Sequence, residues 1–308
     1  MELRQLRYFQ AVAEELNFSR AARRLRVAQP ALSRAIKEIE VELGVLVFER
    51  TRHYVRLTPA GTMLLREGGV LLERWEESLA RVQRTANGEV GELRLGYIGP
   101  PTQAFLGRLL AEYRRHYPLV SLHLEERTPE RVWEMVAKGR LAVALTRPVA
   151  MSEALGMQTL LLREERLGIA IPRAHALAAN ASVPWEALAG ESLLVLARRE
   201  GIGLHDAVLA GCRNAGYSPR IAHSPSLIGT VLLYAEAGLG VAVVPDSVVP
   251  PDGSLRYVPL TPTHSVPLVL VWQEDNETPP ARRFRELVTE WRDNGSLWGA
   301  QVTADARH

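Results

Sequence analysis

The spacing of apolar residues changes near Gly91, and this change limits the folds that the chain can adopt. Before Gly91, apolar side chains recur at three- and four-residue steps, as they do in helices that bury one face. Beyond it, short β-branched or leucine-rich runs alternate with helical stretches, which predicts an α/β fold with parallel sheet. This second part spans about 205 residues, enough for two small lobes rather than one domain.

The composition excludes several classes of protein. Of the 308 residues, 47% are apolar and 23% are charged, an ordinary balance for a globular protein. No apolar run approaches the roughly 18 residues that a membrane span needs, and the N-terminus lacks the apolar core of a signal peptide. Cys212 is the single cysteine, so no intrachain disulfide can form, which fits a reducing compartment. We therefore expect a cytoplasmic protein with no membrane partner.

The first 59 residues predict three short helices and a hairpin. Ser19 is a suitable N-cap for the second helix, which we expect to end near Leu25. The third helix is predicted to begin at or near Pro30, where a missing N–H costs nothing, and to stop at Gly44. Residues 46–58 alternate around a polar tip and predict a short hairpin.

Charge is distributed unevenly along the chain. Residues 1–59 carry eleven basic and seven acidic side chains, a net charge of +4, while the whole chain carries +2. A small basic segment on a slightly acidic body is expected when one part of a protein meets a polyanion. Two short helices joined by a tight turn also predict a helix-turn-helix, in which the second helix enters the major groove of double-stranded DNA and contacts its bases.

Three groups of side chains in this segment are candidates for DNA contact. The second helix of the motif presents polar groups, of which Gln pairs with adenine and Arg with guanine, whereas Ser and Lys suit bases or phosphates. The helix before it grips the phosphate backbone, and the hairpin tip reaches the adjacent minor groove or its phosphates. Spacing and charge alone leave a small helical bundle with solvated arginines as the alternative. The candidates are Gln29, Ser33, Arg34 and Lys37 on the reading helix, Ser19, Arg20, Arg23 and Arg24 before it, and Arg50, Arg52 and Arg56 on the hairpin.

A single long helix is predicted from about Pro59 to Ala86. Apolar residues follow one another along it at three-, four- and seven-residue steps. A stripe of that length on a solitary helix needs a partner surface. Its members are Leu64, Leu71, Trp75, Leu79 and Val82.

Four junctions in the α/β part resemble the places where a two-lobed binding protein holds its ligand, at strand ends and helix N-termini. Hydroxyls and free backbone N–H groups at such junctions suit a small carboxylate. A Ser or Thr before a helix is, however, often only a cap. Arg147, at the end of a strand, either pairs with a ligand carboxylate or holds the two lobes together. The candidates for ligand binding are Pro101, Thr102, Thr128, Arg147, Ile202, Gly203, Ser224 and Ser226.

The sequence carries no catalytic or metal-binding signature. The eight histidines lack metal-ligand spacing, and there is neither a nucleophile elbow nor a phosphate loop with its lysine. Cys212 falls inside a predicted helix and is expected to be packed rather than nucleophilic. We therefore expect no enzyme, no metal and no cofactor.

The first sixty residues resemble the opening of LysR-type transcriptional regulators. The resemblance is dense, correctly spaced and continuous, although His53-Tyr54-Val55 at the hairpin tip is less typical of the family. Length and layout are similar to the family across the whole chain. The motifs that carry it are Leu3-Arg4-Gln5-Leu6-Arg7-Tyr8-Phe9, Ala11-Val12-Ala13-Glu14, Asn17-Phe18-Ser19, Ala21-Ala22, Leu25, Gln29-Pro30-Ala31-Leu32-Ser33-Arg34, Ile36, Glu40, Leu43-Gly44, Leu46, Phe48-Glu49-Arg50 and Leu57-Thr58-Pro59-Ala60-Gly61.

The resemblance implies a winged helix-turn-helix over residues 1–59, a dimerisation helix over 60–88, and an effector-binding domain over 89–308 that resembles periplasmic binding proteins. In that domain, lobe I would comprise about 89–163 and 267–295, and lobe II about 164–266. It further implies that Gln29, Pro30, Ser33 and Arg34 face bases, and that Arg50, Arg52 and Arg56 belong to the wing.

The family pattern also implies a homodimer or homotetramer on neighbouring DNA sites and a contact with RNA polymerase. The predicted function is therefore sequence-specific transcription regulation, controlled by a small molecule bound between the two lobes. Two other hypotheses stay open: a constitutive DNA-binding protein whose body only oligomerises, and an enzyme with a DNA-binding head.

Overall fold

A computed structural model describes residues 1–51, 54–149 and 156–298. It consists of two compact units, Met1–Arg84 and Thr85–His308. Arg52, one of the predicted wing residues, lies outside the described residues. The fold class predicted from the sequence is confirmed: a helical N-terminal unit with a short hairpin is followed by a mixed α/β unit.

The first unit is a helix-turn-helix with a hairpin and a long helix. Its elements are α1 (Leu3–Glu15), α2 (Phe18–Leu25), α3 (Gln29–Leu43), β1 (Phe48–Arg50), β2 (Val55–Leu57) and α4 (Pro59–Ala86). The ends of α3 agree with the sequence, since Pro30 lies in its first turn and Gly44 ends it at a φ of 71°. The N-cap prediction for α2 is wrong. Asn17 is the cap, because its side-chain oxygen accepts the Arg20 N–H at 2.9 Å, and Ser19 lies inside the helix.

The core of this unit joins α1, α3 and the hairpin. Phe9, Leu32 and Ile36 are fully buried, and the rings of Phe9 and Phe48 lie 5.2 Å apart. The buried carboxylate of Glu40 accepts the N–H groups of Val47 and Phe48 at 3.1 and 3.3 Å. These two bonds hold the start of the hairpin against the third helix.

The second unit is built on one mixed sheet covered by helices. Its strands are β3 (Val90–Tyr97), β4 (Leu119–Glu126), β5 (Val143–Thr146), β6 (Met157–Pro172), β7 (Val183–Pro184), β8 (Ser192–Leu194), β9 (Arg220–His223), β10 (Val241–Pro245), β11 (Leu255–Thr261) and β12 (Ser265–Gln273). Its helices are α5 (Gly99–Gln103), α6 (Leu106–His116), α7 (Pro129–Ala137), α8 (Ile202–Asn214), α9 (Ile228–Glu236) and α10 (Pro279–Asp293).

The order of the strands shows how the sheet is divided between two lobes. The hydrogen-bonded path runs β4-β3-β5-β12-β6-β10-β8-β9, with β11 pairing β6 and β7. Lobe I gathers β3, β4 and β5, which are mutually parallel, whereas lobe II gathers β8, β9 and β10. The first ten residues of β6 pair with β12, and the residues from Leu167 onward pair with β10 and β11. A single strand of 16 residues therefore runs through both lobes.

The apolar run over residues 166–171 predicts only the second part of this strand. The missing half contains Arg163, Glu164 and Glu165, which interrupt the apolar pattern on which strand prediction depends. Each lobe has its own buried core, one around Leu93, Leu109 and Phe284 and the other around Ile169, Trp185 and Val243. In the described part of the chain, no helix is both long and apolar enough to cross a membrane.

Candidate functional sites

The reading helix α3 presents polar side chains to solvent. Gln29, Pro30, Arg34 and Lys37 are exposed and Ser33 is half-buried, while Leu32, Ile36 and Ile39 face the core. Among the described residues, no carboxylate lies within ion-pair distance of Arg34 or Lys37. The face predicted to meet base edges is therefore free to donate hydrogen bonds.

The arginines of the preceding helix differ in their surroundings. Arg24 pairs with Glu14 at 2.7 Å, and Arg20 pairs with Glu15 at 3.3 Å. The hydrogen bond to Glu14 is the main reason why the pKa of Arg24 is raised. Arg23 is exposed, so it is the arginine of this helix best placed to reach a phosphate.

The two wing arginines that the structure describes, Arg50 and Arg56, are held by carboxylates. Arg50 pairs with the buried Glu40 at 2.6 Å and lies over the Phe18 ring at 4.9 Å, which directs it back to the body of the unit. This is a structural role that the prediction of a DNA contact for Arg50 did not foresee. Arg56 is exposed and bonds Glu49 at 2.6 Å through its Nε.

A cleft of about 780 Å³ lies between the two lobes of the second unit. Most of its wall is apolar, including Ile98, Leu196, Leu227 and Val248. Of the residues predicted to bind an effector, Pro101, Thr128, Arg147 and Ser226 line it. A ligand of metabolite size with an apolar body fits a cleft of this volume and character.

Thr128 occupies the N-cap position of α7 but makes no hydrogen bond to the helix. The alternative in which its side chain caps the helix is therefore not realised in the structure, although the residues after Pro129 carry the N–H groups that such a cap would use. Thr128 lines the cleft, and its hydroxyl is not used by a hydrogen bond to the helix.

Four predicted effector residues do not line the cleft. Thr102 is fully buried, and its hydroxyl donates to the carbonyls of Ile98 and Gly99 at 3.0 and 3.1 Å. The hydroxyl of Ser224 donates to the Val195 carbonyl at 3.1 Å. Both side chains satisfy local backbone groups, which sequence patterns do not distinguish from ligand contacts.

Ile202 and Gly203 begin α8, whose free N–H groups were expected to meet an anion. The structure corrects this expectation, because the Ile202 N–H already donates to a carboxylate oxygen of Glu130 at 2.8 Å. Gly203 does not line the cleft, and a Cβ placed on it would lie 3.6 Å from the Pro148 carbonyl oxygen.

Arg147 pairs with Glu165, and both side chains are almost entirely buried. The Arg147 carbonyl also accepts the indole N–H of Trp133 at 2.7 Å. Burial raises the pKa of Glu165 and lowers the pKa of Arg147, because both charged forms are removed from water. The Arg147 guanidinium thus already has a partner inside the protein, and Arg147 also lines the cleft, so its two predicted roles, pairing with a ligand carboxylate and holding the two lobes together, stay predictions.

Sequence reasoning missed several residues of the cleft wall. Glu126 lies there and accepts a hydrogen bond from the Tyr97 hydroxyl at 3.3 Å. A Cβ at Gly99 would come within 2.2 Å of the Glu126 carboxylate, so the glycine allows this side chain to lie against the backbone. These contacts join separate segments, and no local pattern indicates them. The other missed wall residues include Gln103, Arg131, Glu200, Ile228 and Thr230.

The described residues contain no group of three or more His, Cys, Asp or Glu placed to hold a metal ion. Cys212 is buried in the core of lobe II, and burial raises the pKa of its thiol. A thiol in that environment is packed rather than activated.

Comparison with known proteins gives a consistent result for both units. Residues 3–62 match the model described as bacterial regulatory helix-turn-helix protein, lysR family, and residues 86–293 match the LysR substrate binding domain. The HTH-type transcriptional regulator AlsR of Bacillus subtilis (strain 168) is 36% identical over 247 residues, covering 80% of this chain and 81% of AlsR.

Solved structures agree over nearly the whole length. The crystal structure of CbnR, a LysR family transcriptional regulator, matches with a TM-score of 0.76 and 29% identity, covering 94% of this chain and 100% of that one. Full-length CbnR complexed with its target DNA matches with a TM-score of 0.72 and 29% identity, covering 95% of this chain and 100% of that one.

Proposed function

This chain belongs to the LysR family of bacterial transcriptional regulators, and on that premise we propose that α3 reads the operator and that the cleft binds a small effector with a carboxylate and an apolar body. In this family the helix-turn-helix unit binds DNA and the second unit binds the effector. The proposal adds which residues of this chain perform them.

The exposed face of α3 supports the assignment of base contacts. Arg34 and Gln29 are exposed on a helix whose opposite face is packed into the core, so their positions are fixed by the fold. We assign these two, with Pro30, Ser33 and Lys37, to the major groove, and Ser19, Arg20 and Arg23 to the phosphates. Arg52 and Arg56 complete the proposed contacts from the wing.

The single observation that carries the effector proposal is the convergence of separate segments on one cleft. Pro101 comes from α5, Thr128 from the start of α7, and Ser226 from the segment before α9. Arg131 also lines the cleft and supplies a guanidinium for an anionic group. The apolar remainder of the wall supports an aromatic or aliphatic body.

The exposed side chains of α4 support assembly into a dimer. Leu64 and Leu72 face the core of the first unit, whereas Leu71, Trp75, Leu79 and Val82 are exposed on the described chain. Trp75 is 42% exposed and Val82 is 67% exposed, which is costly for side chains this large in water. We propose that a second copy covers them.

The remaining proposals depend on the family alone. They are assembly of dimers into a homotetramer, contact with RNA polymerase, and a cytoplasmic location. We also propose that the chain catalyses no reaction and holds no cofactor other than its effector.

A thermal-shift screen of the full chain tests the effector proposal, using small carboxylates with aromatic or aliphatic bodies. A true effector at 100 times its dissociation constant stabilises the fold by about 2.7 kcal/mol. Thr128→Val is expected to abolish the shift without weakening operator binding. Thr159→Val is the matched control, since Thr159 is exposed on β6 and lies outside the cleft wall.

The outcome separates the three hypotheses. An equal shift in wild type and Thr128→Val would remove Thr128 from the site. No shift with any compound would favour a constitutive DNA-binding protein, and conversion of a bound compound into a product would favour an enzyme.

A further inference from the structure

A second recess on lobe I is lined mainly by arginines. Its volume is about 470 Å³, and four of its six lining residues are Arg94, Arg127, Arg131 and Arg140. Glu125 and Met135 complete the wall. We propose that this recess binds a compact dianion of the phosphate or dicarboxylate type, separately from the effector in the cleft.

The backbone of each arginine is fixed by the fold. Arg94 lies on β3, and its carbonyl accepts the Ala142 N–H at 2.9 Å. The Arg127 N–H donates to Tyr97 at 3.1 Å, and the Arg140 N–H donates to Met135 at 2.9 Å. Arg131 lies on α7. Arg127 and Arg140 lie in connections between elements, next to the end of β4 and after α7, and the backbone hydrogen bonds of their N–H groups hold them in place.

The ion pairs around the recess leave an excess of positive charge. Arg94 bonds Glu92 at 2.6 Å, and Arg127 pairs with Glu125 at 3.1 Å. Glu134 is shared, since both Arg131 and Lys138 reach it at 2.5 Å.

Arg140 is exposed, and no carboxylate of the described residues lies within ion-pair distance of it. Three carboxylates therefore face five cations, namely the four arginines of the recess and Lys138. A ligand with two negative charges matches this balance.

The chemistry of the guanidinium group favours an oxyanion. Each guanidinium carries five N–H donors in a planar fork, so an arginine that binds one carboxylate still has donors for another partner. The recess has the volume of a small-metabolite site. A monocarboxylate leaves one of the two excess charges unmatched, whereas a phosphate or a dicarboxylate matches both.

The recess adjoins the effector cleft. Arg127 and Arg131 line both cavities. Two anions bound at once would share these side chains and repel each other, so occupancy of one site lowers the affinity of the other. The same factor applies in both directions by linkage.

Calorimetric titration of the full-length protein tests the proposal, with inorganic phosphate and malonate as probes. Ionic strength is held constant with sodium chloride, and the pH is 8. We expect Arg140→Ala to weaken phosphate binding about tenfold, because a charge-assisted hydrogen bond is lost. Arg140→Lys, which keeps the charge but not the fork, is expected to give an intermediate loss.

Arg114→Ala is the matched control. Arg114 is an exposed arginine of lobe I on α6, outside the recess, so its loss removes the same charge elsewhere. Any phosphate bound by the arginines of the first unit contributes equally to both variants, because neither substitution changes that unit. If Arg140→Ala weakens the binding of phosphate more than that of malonate, the natural ligand is a phosphate. The reverse result identifies a dicarboxylate.

Two results would overturn the proposal. One is an equal effect of Arg140→Ala and Arg114→Ala, which would reduce the recess to a general charge effect. The other is the absence of any heat for both probes in wild type. Neither result depends on operator binding or on the response of Thr128→Val, so the effector proposal fails or stands separately.

Discussion

The side chain of Glu130 accepts a hydrogen bond of 2.8 Å from the backbone N–H of Ile202, which joins α7 of lobe I to α8 of lobe II. The Glu130 carboxylate therefore occupies the N-terminus of α8, where the sequence predicted a ligand anion. The other oxygen of this carboxylate is buried and has no hydrogen-bond partner. An effector that binds at this helix end has to displace Glu130.

Glu130→Ala is expected to lower the free energy of unfolding by about 1–2 kcal/mol, because a hydrogen bond to a charged group is lost. The measurement is chemical denaturation of the full chain. Glu290→Ala, on the exposed face of α10, is the control. Unchanged stability would mean that the contact between the lobes contributes nothing.

Breaking the Arg147–Glu165 pair is expected to be more costly. Glu165→Gln removes the carboxylate that pairs with the buried Arg147, and about 3–5 kcal/mol of stability should be lost. The double replacement Arg147→Met with Glu165→Leu should cost less than Glu165→Gln alone, since no charge is then buried. Denaturation of Glu165→Gln, Arg147→Met, Glu165→Leu and the double variant measures this, and simple additivity of Arg147→Met and Glu165→Leu would contradict the assigned coupling.

Arg34→Ala is expected to weaken operator binding by about 1–3 kcal/mol and to blur the preference at one base pair, as for a base-reading arginine. Arg23→Ala should instead weaken binding to all sequences similarly and lower the salt dependence by about one released ion. Titrations of specific and scrambled DNA at several salt concentrations distinguish the two. A uniform loss with Arg34→Ala would place Arg34 on a phosphate.

Trp75→Glu is expected to dissociate the dimer, because it places a charge in the apolar stripe of α4. The molar mass from light scattering should fall by at least half. Glu77→Lys changes charge on a different face of the same exposed helix and should leave the mass unaltered. A wild-type mass for Trp75→Glu would exclude this stripe as the dimer surface.

Local signals in the sequence were sufficient for much of the fold. Pro30 and Gly44 mark the ends of α3, because a helix terminus depends on the residues next to it. The long helix from Pro59 to Ala86 follows from its unbroken period. The core face of the reading helix, with Leu32 and Ile36, follows in the same way.

The cleft was only partly predictable, for a physical reason. Thr128 and Ser226 were found because a residue before a helix has a recognisable setting. The contact between Glu130 and Ile202 joins residues 72 positions apart, and no periodic pattern contains it. Thr102 was misassigned because a hydroxyl that bonds its own turn and one that bonds a ligand occupy the same sequence context.

The passage of β6 through both lobes sets the stiffness of the sensor. Two lobes joined by loops alone could rotate against each other without disturbing the hydrogen bonds of the sheet. Here any rotation has to twist a hydrogen-bonded strand, whose register with β12 shifts between Leu268 and Val269. Such an irregularity bends a strand locally. A change in the angle between the two lobes therefore has to deform a strand that belongs to both of them.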